Sequence, residues 1–143
     1  RDCLLSRGLG DVYKRQARNA SDAELHELDA LHERLVRHAK AKRINDYYAT
    51  NHLIHEAIIQ LADNKWLAQV IGDLRKILKL ARQQQLHAPG RLEQSLSEHL
   101  AVFAALKARD SEGADAAMRT HMTRQREALR EVMRNQQKSR VMP

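Results

Sequence analysis

Apolar residues recur every three or four positions through most of this 143-residue chain, a spacing that lines one face of an α-helix and does not fit a β-strand. Leu25, Leu28, Leu31 and Leu35 mark the first such stripe. Ser21 and Glu24 precede it as a capping box, in which hydroxyl and carboxylate each satisfy an orphan backbone N–H, so a helix is expected from there to about Ala41. A second helix, capped by Asn45 or Asp46, carries Tyr47, Asn51, Ile54, His55, Ile58, Leu61 and Ala62 and ends near Asp63-Asn64. A third runs from about Lys65 to Leu86 with Leu67, Val70, Ile71, Leu74, Leu78 and Ala81 inward, Gly72 permitting a close helix contact. His87-Ala88-Pro89-Gly90 then breaks the pattern, because Pro and Gly together end one helix and release the next. A fourth helix, from about Arg91 to Arg109, aligns Leu92, Leu96, His99, Leu100, Phe103 and Leu106. A fifth, capped by Asp110 or Ser111, presents Ala114, Ala117, Met118, His121, Met122 and Leu129 before a polar tail over 135–143 frays. The expected fold is all-α: an antiparallel bundle of five to six helices, forming a single domain over 17–134.

Residues 1–16 show no sustained helical period, and we read them as a non-native leader without a part in the fold. The lone Cys3 excludes an intramolecular disulfide framework and a Cys-rich zinc site, so the chain reads as intracellular and a metal would need N and O ligands. No apolar run approaches the length of a membrane span. The formal charge of +7 invites a nucleic-acid or anionic-membrane reading, but more than half of the excess lies in residues 1–16 and in Lys138 and Arg140. The remainder reads as a solvated surface.

Three histidines fall on apolar stripes of separate helices: His55, His99 and His121. Asn51 lies one turn before His55 on the same face, so the two can approach one ion together. Imidazole nitrogens hold a divalent ion such as Zn²⁺ at about 2.0–2.1 Å, and an amide oxygen adds a weaker ligand. The competing reading is a set of core histidines, each hydrogen-bonded to a carbonyl or hydroxyl. His26, His32, His38, His52 and His87 fall on polar faces or in the loop and are expected to be solvated. The Glu-x-x-His pair of di-iron bundles, the His-Glu-x-x-His motif, a Gly-rich phosphate loop and a nucleophile elbow are all absent from the sequence.

Two segments carry a family resemblance. YYATNHLIHEAIIQLA, residues 47–62, with DNKWL after it, resembles the Asp/Asn-x-x-x-His helix of the FCD domain, the effector-binding domain of GntR-type regulators in the FadR-like branch. EHLAVFAALKARDSEGADAAMRTHM, residues 98–122, resembles that domain's second signature. The resemblance covers about residues 17–130 and implies that Asn51, His55, His99 and His121 bind a divalent metal, Zn or another such as Ni. Asn51 stands where many members have Asp, which removes one negative charge from the ligand set. A small organic acid is the implied effector. Arg75 and Arg82, seven residues apart on one helix face, are its candidate partners, since a guanidinium forms a bidentate pair with a carboxylate; the alternative places both at the surface. The resemblance also implies a non-catalytic, homodimeric, cytoplasmic regulator. DNA contact would come only through an N-terminal winged helix-turn-helix domain, which is not visible before Ala17, so the chain reads as a C-terminal fragment. Two rivals stay open: a metalloenzyme in a helical bundle, and a metal-free structural bundle. The enzyme needs a general base at the metal, whereas Glu56 and Glu98, adjacent to ligands in sequence, are expected to point elsewhere.

Overall fold

The computed structural model of the chain describes residues 4–60 and 65–141, with side chains for 12–60, 65–66 and 68–139. Seven helices and no strand occur among them: α1 (Leu4–Asn19), α2 (Asp22–Lys40), α3 (Ile44–Gln60), α4 (Lys65–Ile77), α5 (Lys79–Gln85), α6 (Arg91–Lys107) and α7 (Ser111–Val141). Leu61, Ala62, the expected helix end at Asp63-Asn64, Cys3 and the side chain of Leu67 lie outside the described residues. Within the described residues, no helix is long and apolar enough to cross a membrane.

The capping box forms as its spacing predicts: Glu24 N donates to Ser21 Oγ at 3.2 Å, and Ser21 N donates to Glu24 Oε2 at 2.7 Å. At the other end of α2, Lys42 takes a left-handed conformation (φ 56°). Lys42 N then reaches the Ala39 carbonyl and Arg43 N the His38 carbonyl, both at 3.0 Å, a Schellman closure that turns the chain into α3. The turn from α6 to α7 repeats this device, with Arg109 left-handed (φ 57°) and Asp110 N donating to the Ala105 carbonyl at 3.0 Å. Asp110 Oδ1 in turn accepts from Gly113 N at 2.9 Å and caps α7. The Arg109 guanidinium extends from its turn to the Ala20 carbonyl and to Asp22 Oδ1.

Leu28, Leu35, Tyr47, Ile54, Ile58, Phe103, Leu106 and Met118 form the core where α2, α3, α6 and α7 meet. Tyr47 keeps its hydroxyl satisfied inside it by a 2.9 Å hydrogen bond to Ser95 Oγ.

Several expectations are corrected. Residues 4–16 are not outside the fold: α1 packs along α7, and Val12, Tyr13 and Gln16 are buried. The third expected helix is interrupted at Leu78, where ψ is 1°. Ile77, Leu78 and Leu80 are all exposed there, so core packing does not hold the two pieces in line. The inward face of these helices is also rotated by about one residue: Val70 and Leu78 face water, while Ile71, Arg75, Arg82 and Gln85 are buried. Leu100 is likewise exposed, with Val102 taking its place beside Phe103. The tail does not fray at 135, because α7 continues to Val141 and Gln136 Nε2 donates to Gln84 Oε1 at 2.8 Å. Finally, His32 is buried; its ring stacks on Phe103 at 4.1 Å and its Nδ1 donates to the Leu28 carbonyl at 2.7 Å.

Candidate metal centre

His55 from α3, His99 from α6 and His121 from α7 converge in the interior, with one ring nitrogen from each lying within 4.8 Å of the others. Their ring centroids stand 5.0, 5.7 and 4.6 Å apart for the pairs 55–99, 55–121 and 99–121. Each Nε2 is buried without a hydrogen-bond partner among the described residues. Asn51, one turn before His55 on α3, is buried too, and its Oδ1 lacks a partner in the same way. Burying an unpaired polar atom costs about 1–3 kcal/mol. Three imidazole nitrogens and one amide oxygen are donors of the kind a borderline divalent ion such as Zn²⁺ or Ni²⁺ accepts.

Two of the remaining ring nitrogens are engaged, those of His55 and His121. Tyr13 Oη lies 3.0 Å from His55 Nδ1, and Glu98 Oε2 lies 2.6 Å from His121 Nδ1. The Glu98 carboxylate is buried and also accepts from Arg91 Nη1 at 3.1 Å and Nη2 at 3.4 Å. Glu98 therefore does not point away from the site as its adjacency to His99 led us to expect. Arg91, seven residues earlier on the same helix face, was the available signal, since a buried Glu requires a paired cation. Glu56 does point elsewhere, outward to His52 Nε2 at 3.1 Å.

Burial is the principal cause that holds His55 and His99 well below the ordinary imidazole pKa of 6.5; the Arg75 charge adds to it at His55, and His121 adds to it at His99. Burial also lowers His121, against the opposing hydrogen bond that its Nδ1 makes to Glu98, and it lowers His32. All four favour the neutral ring that a metal or an apolar core requires. The unfolded chain binds these protons first, so the stability contributed by neutral burial is complete above pH 6.5 and is lost as pH falls below it. Chemical denaturation of the metal-free chain should give a constant midpoint above about pH 7 and a steadily lower one toward about pH 5. A midpoint that held or rose on acidification would contradict this burial of neutral imidazoles.

Arg75 and Arg82 both face inward, with exposures of only 8% and 6%. Neither pairs with a carboxylate among the described residues, and Arg75 Nε has no hydrogen-bond partner there. Burial, reinforced by the Arg82 charge, lowers the Arg75 pKa to about 10. With the Gln125 amide assigned so that its oxygen rather than its nitrogen faces Arg82, that oxygen accepts from Nη2 at 3.1 Å and Nε at 3.2 Å. A groove of about 450 Å³ is bounded by Tyr48, His52, Leu53, Arg75, Lys79 and Gln83. A larger groove, about 760 Å³, lies beside Arg91 and Arg124 between α6 and α7 and contains none of the three histidines.

The bundle thus assembles three buried imidazoles from three helices beside two inward cations. The FCD domain family matches residues 10–124, and the chain belongs to that family, the regulatory effector domains of GntR-type regulators. Metal binding is a known property of FCD domains. The chain is similar to the HTH-type transcriptional repressor RspR of Escherichia coli (strain K12), 24% identical over 122 residues that make up 85% of this chain and 53% of RspR. The uncharacterized HTH-type transcriptional regulator YdfH of Shigella flexneri matches with the same identity and coverage. The chain thus spans about half the length of the curated relatives it matches.

Proposed function

We propose that this domain senses a small organic acid through a divalent metal, Zn or a similar ion, held by Asn51, His55, His99 and His121. The acid's carboxylate coordinates the metal and is paired by Arg75 and Arg82. The observation that carries this reading is the coincidence of three buried, partnerless imidazole nitrogens and one partnerless amide oxygen with two inward guanidinium groups that pair with no carboxylate among the described residues. Cations of this kind are costly to bury unless an anion joins them. A purely structural bundle would leave three neighbouring imidazole nitrogens buried without partners, which argues against it. Hydrolysis at the metal needs a group free to act as base, and neither carboxylate adjacent to a ligand serves: Glu98 is engaged by Arg91 and His121, and Glu56 is half-exposed beside His52. Sensing without catalysis is therefore the better fit.

In a cytoplasmic protein of the relatives' length, the same domain would control DNA binding by a winged helix-turn-helix domain preceding it, as a homodimer. An apolar stripe on α4 and α5, where Trp66, Val70, Ile77 and Leu80 are exposed, supplies a surface for such pairing. Coupling between effector and DNA equals the effector's difference in affinity for the two arrangements of the domain pair. Metal analysis after native purification should find stoichiometric divalent metal, and calorimetric titration with mono-, di- and tricarboxylates should give heat that a chelator removes. A metal-free parent protein overturns the metal half; a metal-loaded protein silent to the whole panel overturns sensing of those acids.

A further inference from the structure

We infer that Glu98, clamped by Arg91, is a positioning residue that holds His121 as its Nδ1–H tautomer and so aims a bare Nε2 lone pair at the other two histidines. This rests on the metal reading above for its purpose, but not for its geometry. The 2.6 Å approach of Oε2 to His121 Nδ1 joins an acceptor-only carboxylate to a ring nitrogen, a pairing that forms only when that nitrogen carries the proton. A neutral imidazole protonated at Nδ1 leaves Nε2 unprotonated, and Nε2 is the buried atom with no partner. Carboxylate–histidine–metal arrangements use this logic to fix ring orientation and raise ligand basicity.

Glu98 is fixed in its turn. Its carboxylate is almost fully enclosed, as is Arg91, which presents Nη1 and Nη2 to the two oxygens. Arg91 Nε donates to Gln85 Oε1 at 3.3 Å on α5, the helix that also bears Arg82. The orientation of His121 on α7 is therefore braced across α6 to the helix of the proposed acid-binding arginine. Arg124 Nη1 approaches Glu98 Oε1 at 3.9 Å from the solvent side.

Long-range proton–nitrogen NMR of the metal-free chain should show His121 protonated at Nδ1, and Glu98→Ala should convert it to a mixed or Nε2–H tautomer. Zinc affinity, measured by competition with a chromophoric chelator, should weaken about 10- to 100-fold in Glu98→Ala. Glu98→Gln keeps an acceptor oxygen but lacks the charge; it should retain the tautomer and weaken zinc severalfold, and it carries the test if the alanine variant does not fold. An unchanged His121 tautomer in Glu98→Ala overturns the inference, as does an Nε2–H ring in the parent or unchanged zinc affinity in Glu98→Gln. If the parent binds no zinc at all, the metal reading fails, while the tautomer result still decides the role of Glu98.

Discussion

Replacing His99 or His121 by alanine should remove metal from the purified domain and remove with it the thermal stabilisation that metal confers on the parent. Each variant leaves two imidazoles and an amide, too few strong ligands to compensate for desolvating a divalent ion. Metal at a thousandfold excess over its Kd stabilises a folded state by about 4 kcal/mol, which in a domain of this size moves Tm by about 10 °C. The parent should show such a shift and the variants almost none, whereas their metal-free melts should lie closer together. The contrast arises because the deleted imidazole has an unpaired Nε2, so its removal discards a buried polar atom along with its packing. Asn51→Asp should move metal affinity the other way, since it adds a negative ligand to a site beside Arg75 and Arg82. Stoichiometric metal retained in His121→Ala, measured by mass spectrometry, would remove His121 from the ligand set.

Arg75→Met should separate binding from stability. Methionine keeps the long unbranched stem and discards a buried cation whose Nε has no partner, so the ligand-free domain should become slightly more stable, by about 1 kcal/mol. Its response to carboxylates should fall about 10- to 100-fold, the equivalent of one charge-assisted hydrogen-bonded contact. Thermal melts with and without a carboxylate, at fixed metal, read both effects together. A destabilised variant with an undiminished carboxylate response would make Arg75 a structural residue.

What the sequence reveals of this site depends on whether the governing interactions are local. Asn51 and His55 share a helix face by spacing alone, and His99 and His121 fall on stripes whose other members are large and apolar, so their inward placement is readable. Ser21 and Glu24 are readable for the same reason, since capping involves neighbours three residues apart. Glu98 is not. It lies next to His99, about 100° away around α6, and only the arrival of α7 places His121 beside it. His32 is misread because Glu33 and Asp29 make its neighbourhood look polar, while its burial depends on a stack with Phe103 from a distant helix. Val70 and Leu78 mislead in the opposite sense: their apolar stripe defines an inward face, yet Arg75 and Arg82 occupy it, because the interior there is itself polar. Residues 4–16 conceal their helix behind Gly8 and Gly10, which weaken local propensity that contacts with α7 then override.

Arg109 shows how two demands on a single position can conflict. The backbone geometry that closes α6 is one that glycine enters freely and an L-residue enters at a cost of about 1 kcal/mol. Chosen by the turn alone, the residue would be glycine. The side chain that glycine lacks is the one that ties the α6–α7 corner to the α1–α2 corner at Ala20 and Asp22. Local strain is thus exchanged for a long-range fastening between two bends far apart in the chain, and a sequence comparison that scored this position by turn preference alone would favour the residue that unfastens them.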